Sequence, residues 1–242
     1  MRRFRKTAKF CGDEGGFTLI ELLVVMVTGV LVTSALFTIL DVTLRQTTRT
    51  FSRVDATQRA RTALETIEQE LHSSCIANDA APIIDGSSAT SVSFWNQYGM
   101  AAAPVPVKHT IAFNSSAGTL VDSTYPVTPP DDQIPPWTAS STASRVNTLL
   151  TNVAQSGSTP VFQYFALSSD GSSNVSSAVT PPLTTTTAPK VSEVRITLLV
   201  KPAGGSHENI NLVHNTVTDS VLLRLTPVSN PDGIAQEFAP CE

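Results

Sequence analysis

Glu21 is the one ionisable residue in the apolar run from Phe17 to Leu40. The run holds 24 residues, and about 20 apolar residues are enough for a helix that crosses a bilayer. A charged carboxylate in such a helix costs about 2.5–3.5 kcal/mol at mid-membrane and less near the interface. We therefore expect Glu21 to be functional and to pair with a positive group.

The segment Met1–Gly16 has the composition of a leader that is removed from the chain. It is rich in Arg and Lys, and it ends in the pair Gly15-Gly16. An ordinary secretory signal has its small-residue cleavage site after the apolar region, whereas this pair precedes it. Gly16 has no Cβ, so a peptidase can approach the bond that follows it closely. The basic cluster also predicts a cytoplasmic N-terminus, with the bulk of the chain on the other side of the membrane.

The junction between leader and apolar run resembles the class III signal of type IV prepilins and type II secretion pseudopilins. The family pattern is a glycine, an aromatic residue and then Thr-Leu-Ile-Glu-Leu, and it is matched without a gap at Gly16, Phe17, Thr18, Leu19, Ile20, Glu21 and Leu22. The resemblance implies that a prepilin peptidase cuts between Gly16 and Phe17 and that the new Phe17 amine is then methylated. It also implies that the partner of Glu21 is the Phe17 amine of a neighbouring subunit. Such a head-to-tail contact builds a filament rather than a closed ring.

Composition indicates what the rest of the chain is for. The chain has 242 residues, of which about 200 remain for a soluble region after the leader and the apolar run, and that is enough for one domain with a core. The leader holds 5 of the 16 basic and 2 of the 20 acidic residues, so the remaining chain has 11 basic and 18 acidic residues. This acidic balance argues against a nucleic-acid-binding function.

Apolar periodicity predicts helical structure from about Phe17 to Ser74. A signal-anchor helix followed by a separate helix is one interpretation, and the resemblance to prepilins favours a single long helix. The segment 17–40 forms its transmembrane half, and 41–76 is its amphipathic half. The apolar stripe of the second half is predicted to lie on a sheet and falls on Leu44, Phe51, Val54, Leu64, Ile67 and Leu71, at helical spacing.

Strand patterns dominate the region 77–242, which we expect to be the extracytoplasmic globular part. Predicted strands cover 90–95, 105–113, 118–122, 161–165, 191–200, 210–213 and 217–225. A short helix is predicted for Ser144–Val153 from apolar residues three, four and seven apart. The fold class is therefore α+β, with a long N-terminal helix packed on antiparallel sheet, as in pilins.

A looser resemblance in this region is to the bodies of minor pilins and pseudopilins of the PilW and GspJ kind. It rests on the segments 149–153, 162–165, 170–171, 194–198 and 220–224. It implies a low-copy structural subunit at or near the filament tip, or one that initiates assembly, with other pilins, the prepilin peptidase, the cytoplasmic membrane and the assembly platform as partners. Whether the filament serves a pilus, a secretion system or DNA uptake stays open.

Cys75 and Cys241 are the two cysteines outside the leader. In an oxidising compartment we expect them to form a disulfide, with two free thiols as the alternative.

Enzyme motifs are absent from the sequence, so we expect a protein that is not an enzyme and has no cofactor. Neither the phosphate-binding and dinucleotide-binding fingerprints nor a nucleophile elbow occurs. The four histidines lack metal-ligand spacing and are interpreted as incidental surface residues, with no metal site; calcium at Asp122, Asp131, Asp132 or Asp170 is a minor alternative. The alternative function is a membrane-anchored extracytoplasmic binding or hydrolase domain with an uncleaved signal anchor.

Overall fold

A computed structural model of the chain describes residues 16–74, 82–96, 106–128, 138–167, 176–202 and 215–223. The chain divides into two compact units, Met1–Arg49 and Thr50–Glu242. The secondary structure begins with helix α1, Leu19–His72, which matches the predicted long helix to within two residues at each end. The rest of the described chain is antiparallel sheet and one short 3-10 turn, so the predicted α+β class is confirmed.

The first unit contains the N-terminal part of α1, whose start is fixed by Thr18. The Thr18 hydroxyl lies 3.3 Å from the backbone nitrogen of Glu21, and the Thr18 carbonyl accepts the backbone N–H of Leu22 at 3.2 Å. Thr18 is therefore the N-cap, and Glu21 stands at the third helical position, as in a capping box.

The apolar part of α1 is suited to a lipid environment. Its large side chains from Phe17 to Leu44 are exposed, and the helix is long and apolar enough to cross a membrane. Its threonine hydroxyls do not need water, because Thr28, Thr33 and Thr38 each donate to the carbonyl four residues earlier at 2.8–3.0 Å. A hydroxyl satisfied within its own helix costs little in hydrocarbon.

In the second unit, the buried face of α1 confirms the predicted stripe in its C-terminal part, at Leu64, Ile67 and Leu71. The residues of the buried face are Ala56, Ala60, Ala63, Leu64, Ile67 and Leu71. Leu44, Phe51 and Val54 are exposed, so this part of the predicted apolar stripe is wrong. Val54 lies about 200° around the helix from Ala56, on the side of the helix opposite the buried face.

The first sheet has four antiparallel strands in the order β1-β2-β3-β6. These strands are β1 Ser91–Asn96, β2 Val107–Asn114, β3 Thr119–Tyr125 and β6 Arg145–Thr151. A two-stranded hairpin of β4, Val127–Thr128, and β5, Thr138–Ala139, lies between β3 and β6 in the chain. The sheet presents alternate residues of β1 and β2 to the core, including Val92, Phe94, Ile111 and Phe113, as predicted.

The second sheet is built around the longest strand of the chain. Its strands are β7 Val153–Ala154, β8 Phe162–Leu167, β9 Ser176–Val179, β10 Val191–Val200 and β11 Asn215–Leu222. The order is β11-β10-β8-β9, and β7 also pairs with β10. The prediction for β10 is confirmed in its bounds and in its buried face of Val194, Ile196, Leu198 and Val200.

Tyr164 on β8 connects this sheet to the segment that leads into β1. Its hydroxyl lies 2.9 and 2.8 Å from the carbonyl oxygens of Ser88 and Ser91. Burial raises the pKa of the Tyr164 phenol far above its ordinary value, so the hydroxyl stays a donor. Both sheets and α1 contribute to one core within this unit.

The segment predicted as a short helix, Ser144–Val153, is extended instead. Arg145–Thr151 forms β6, and Val153–Ala154 forms β7. β6 pairs with β3 along its whole length, and Val146, expected on the buried helix face, is 64% exposed. An i, i+3, i+4, i+7 pattern over ten residues does not separate a helix from a strand when an open sheet edge is available for pairing.

Gly118, in the turn between β2 and β3, provides a test of the packing of the second unit. Its φ is +61°, and a Cβ built on it would lie 3.1 Å from the carbonyl oxygen of Val153. We expect Gly118→Ala to lower the free energy of unfolding by about 1–2 kcal/mol from backbone strain, with a further cost from that contact. Thermal unfolding of the full-length protein in detergent measures the change.

Gly157 supplies the matched control, because its φ is +60° but a Cβ there meets no atom within 4 Å. Gly157→Ala should therefore cost less than Gly118→Ala. Equal losses in the two variants would show that the close approach of Val153 has no energetic consequence.

Candidate functional site

The predicted cleavage site is open in the structure. Phe17 is 80% exposed, and Gly16 is exposed as well. A Cβ built on Gly16 would meet no atom within 4 Å, so no packing within the described chain demands a glycine at this position. Packing in the described chain therefore does not explain why residue 16 is a glycine. A peptidase that must approach the backbone at this residue would explain it.

Glu21 is exposed on α1, and its own helix offers it no cation. Side chains three or four positions away are its neighbours on the helix surface, and these are Phe17, Thr18, Val24 and Val25. The next acidic residue, Asp41, behaves differently, because it pairs with Arg45 at 3.0 Å. Across the described ranges, no basic side chain lies within ion-pair distance of Glu21.

A second group of polar side chains lies in the Thr50–Glu242 unit, with His109, Asp122 and Asn96 buried and Glu70 partly exposed. Glu70 near the end of α1, His109 on β2 and Asp122 on β3 each direct a nitrogen or carboxylate oxygen to one point, and these atoms lie within 4.8 Å of one another. His109 Nδ1 is 3.1 Å from Asp122 Oδ1. His109 is 4% and Asp122 8% exposed. We call Glu70, His109, Asp122 and the neighbouring Asn96 the buried polar cluster.

Strand register places the members of this cluster together. His109 pairs with Phe94 on β1 and with Thr124 on β3, so Asp122 is its diagonal neighbour on the same face. The ring of Phe94 stacks on that of His109, with centroids 5.6 Å apart and the planes at 21°. The imidazole is thus held between an aromatic face and a carboxylate.

Asn96, the last residue of β1, joins the cluster to α1. Its Nδ2 donates to Glu70 Oε2 at 2.9 Å and approaches the Glu70 carbonyl oxygen at 3.3 Å. Asn96 is fully buried, and its Oδ1 accepts no hydrogen bond from the part of the chain that the structure describes. A buried acceptor without a donor costs free energy, so this atom needs an explanation.

Burial raises the pKa of the Glu70 carboxyl above its ordinary value of 4.5. The positive charge of protonated His109 opposes this shift, the negative charge of Asp122 adds to it, and the Asn96 hydrogen bond and the charge of Arg145 oppose it. The net direction is upward because the loss of hydration is the largest effect.

The interpretation of the histidines as surface residues is wrong for His109. His109 lies 39 residues from Glu70 and 13 residues from Asp122 in the sequence. This spacing matches no ligand motif, because the three residues meet only in the folded unit. One signal could have revealed its burial: His109, Ile111 and Phe113 alternate on β2 and share the buried face. His72 lies on α1 with Nδ1 4.0 Å from Glu68, whereas His207 and His214 lie outside the described residues.

Other predicted site residues fall outside the described part of the chain. These are Cys75 and Cys241 of the predicted disulfide, and Asp131, Asp132 and Asp170 of the minor calcium alternative. The disulfide therefore stays a prediction.

No protein-family model, curated protein or solved structure matches this chain. The resemblance to prepilins accordingly rests on the residues around Gly16 and Glu21. The cleavage, methylation and docking roles that it implies stay predictions.

The raised pKa of Glu70 predicts how stability depends on pH. A carboxyl whose pKa is higher in the folded state stabilises the fold below its unfolded pKa, near 4.5, and this contribution is lost as pH rises through the folded pKa. Gln keeps the shape and can accept the Asn96 hydrogen bond, but it does not ionise. We therefore expect Glu70→Gln to gain stability relative to the wild type between mildly acidic and neutral pH.

Thermal unfolding in a chelating buffer, at a series of pH values, measures this difference. Glu65→Gln is the matched control, because Glu65 is exposed on the same helix, and it should not change the pH profile. A Glu70→Gln profile parallel to that of the wild type would contradict the assignment of the pKa shift to burial.

Proposed function

We propose that this protein is a filament subunit, a minor pilin or pseudopilin of a type IV pilus or type II secretion filament. The observation that carries the proposal is the environment of Glu21: a carboxylate on an exposed apolar helix, with no cation within reach on that helix. The sequence Gly16-Phe17 lies directly before this helix and is accessible. In this proposal, a prepilin peptidase cleaves after Gly16, and the amine of Phe17 is methylated.

Cleavage creates the partner that Glu21 lacks. The new amine at Phe17 is a cation at the end of an apolar helix, and in a neighbouring subunit it can reach the Glu21 carboxylate. Because an unpaired charge in lipid is costly and a paired one much less so, docking relieves the cost of both groups together. The contact joins two different surfaces of identical or similar chains, which extends into a helical filament.

The second unit fits the role of a displayed body. It contains the C-terminal part of α1 and the described strands, as expected for a pilin-like subunit, and the chain beyond the leader is acidic. The resemblance to PilW-like and GspJ-like bodies favours a low-copy position at the tip or a role in starting assembly. The partners would be other pilins, the assembly platform with its ATPase, and the cytoplasmic membrane that holds the subunit before assembly.

The structure suggests a sharp test for Glu21, because this residue also occupies the third position of a capping box. Glu21→Gln keeps a side chain that suits this position but removes the charge, whereas Glu21→Leu removes both. If the charge drives docking, both variants should be processed normally and should be missing from sheared filaments, as measured by immunoblot.

Asp41→Asn is the matched control, since Asp41 is an acidic residue of the same helix that already pairs with Arg45. This variant should assemble as the wild type does. Normal incorporation of Glu21→Gln would contradict the docking role, and it would leave helix capping, or a simple membrane anchor for a binding or hydrolase domain, as the explanation of Glu21.

Replacement of Gly16 tests processing separately. Gly16→Val should block cleavage because the peptidase must approach the backbone, while the fold tolerates a Cβ at this exposed position. The uncleaved protein should migrate more slowly on a gel and should stay in the membrane.

Gly29→Ala provides the control, because a Cβ at Gly29 also meets no atom within 4 Å and the residue is distant in sequence from the cleavage site. This variant should be cleaved fully. Complete processing of Gly16→Val would refute the assignment of the cleavage site.

A further inference from the structure

The buried polar cluster has the donor set of a metal site. Glu70 and Asp122 offer carboxylate oxygens, and His109 offers an imidazole nitrogen, with all three ligand atoms within 4.8 Å of one another. The residues come from three different elements, α1, β2 and β3. Two ionised carboxylates and a neutral imidazole carry a charge of −2, which a divalent cation neutralises in a buried environment where uncompensated charge is costly.

Asn96 supplies an independent observation. Its buried Oδ1 has no hydrogen bond from the described residues, while its Nδ2 lies 2.9 Å from Glu70 Oε2. A half-turn of the amide exchanges these two atoms and places Oδ1 beside the Glu70 carboxylate. Two acceptor oxygens at such a distance repel each other unless a cation lies between them. In that orientation Oδ1 becomes a ligand, and Nδ2 gives up its hydrogen bonds to Glu70.

We propose that Glu70, His109, Asp122 and Asn96 form a binding site for one divalent transition-metal ion, with Zn²⁺ as the ion that fits best. One nitrogen and three oxygen donors suit a four-coordinate zinc ion, with metal–ligand distances of about 2.0–2.2 Å. Calcium takes about 6–8 oxygen ligands, more than this cluster offers. Magnesium usually keeps several bound waters, which this buried position does not favour.

The geometry requires only a small contraction to bind the ion. Ligands of a tetrahedral zinc ion lie about 3.3 Å apart, and His109 Nδ1 is already 3.1 Å from Asp122 Oδ1. Glu70 closes the remaining gap through rotation of its side chain. The bound ion would connect the end of α1 to strands β1, β2 and β3, so its effect would be to hold the helix against the first sheet of the same unit.

Zinc titration of the full-length, metal-stripped protein in detergent tests this site. Competition with a chelating dye should show one ion per chain, and the unfolding temperature should rise with zinc. His109→Gln and Asp122→Asn should each weaken zinc binding by at least about tenfold. His72→Gln is the matched control: it removes a histidine from α1 outside the cluster and should bind zinc as the wild type does.

Cobalt substitution gives a result that does not depend on the folding of any variant. Co²⁺ in the wild-type protein should show the visible absorption of a four-coordinate nitrogen and oxygen site, without a thiolate charge-transfer band. Failure to bind zinc at about tenfold excess over protein, unchanged binding by both cluster variants, loss of binding in His72→Gln or a thiolate band would each overturn the proposal. None of these results depends on filament assembly.

Discussion

One electrostatic constraint underlies the proposed function: the carboxylate of Glu21 lies in the apolar part of α1, with no basic side chain three or four residues away. The charge of Asp41 is balanced differently, because Asp41 is exposed and pairs with Arg45. In a membrane Glu21 would lose its hydration, and no basic residue lies three or four positions away to pair with it. The proposed solution is intermolecular: cleavage at Gly16 creates an amine on each subunit, and that amine neutralises the carboxylate of the next.

Loss of hydration is also the main electrostatic effect on Glu70 in the buried polar cluster. Glu70 also loses hydration, and its pKa rises as a result, but its neighbours His109, Asp122 and Asn96 lie within the same folded unit. The charge can therefore be balanced inside the subunit, by a proton or by a metal ion. In the proposed function Glu21 serves association between subunits, whereas Glu70 contacts a side chain of its own unit.

Features that depend on local pattern were predictable from the sequence. The long helix and strand β10 follow from periodicity over many residues, and the candidate site at Gly16, Phe17 and Glu21 follows from a contiguous motif. Features that depend on pairing were not predictable: β6 has helical spacing but meets the open edge of β3. The alanines of the buried face were overlooked because the predicted stripe followed only the large apolar side chains. His109 was misjudged because its partners are distant in sequence, although its alternation with Ile111 and Phe113 indicated burial.

The mass of the N-terminal peptide of the protein isolated from its native membrane tests the central claim most directly. The proposed processing creates the cation on which docking depends, so the account predicts a peptide that begins at Phe17 and carries one methyl group on its amine. A peptide that begins at Met1 would contradict the account, because Glu21 would then have no amine of a neighbouring subunit to neutralise it.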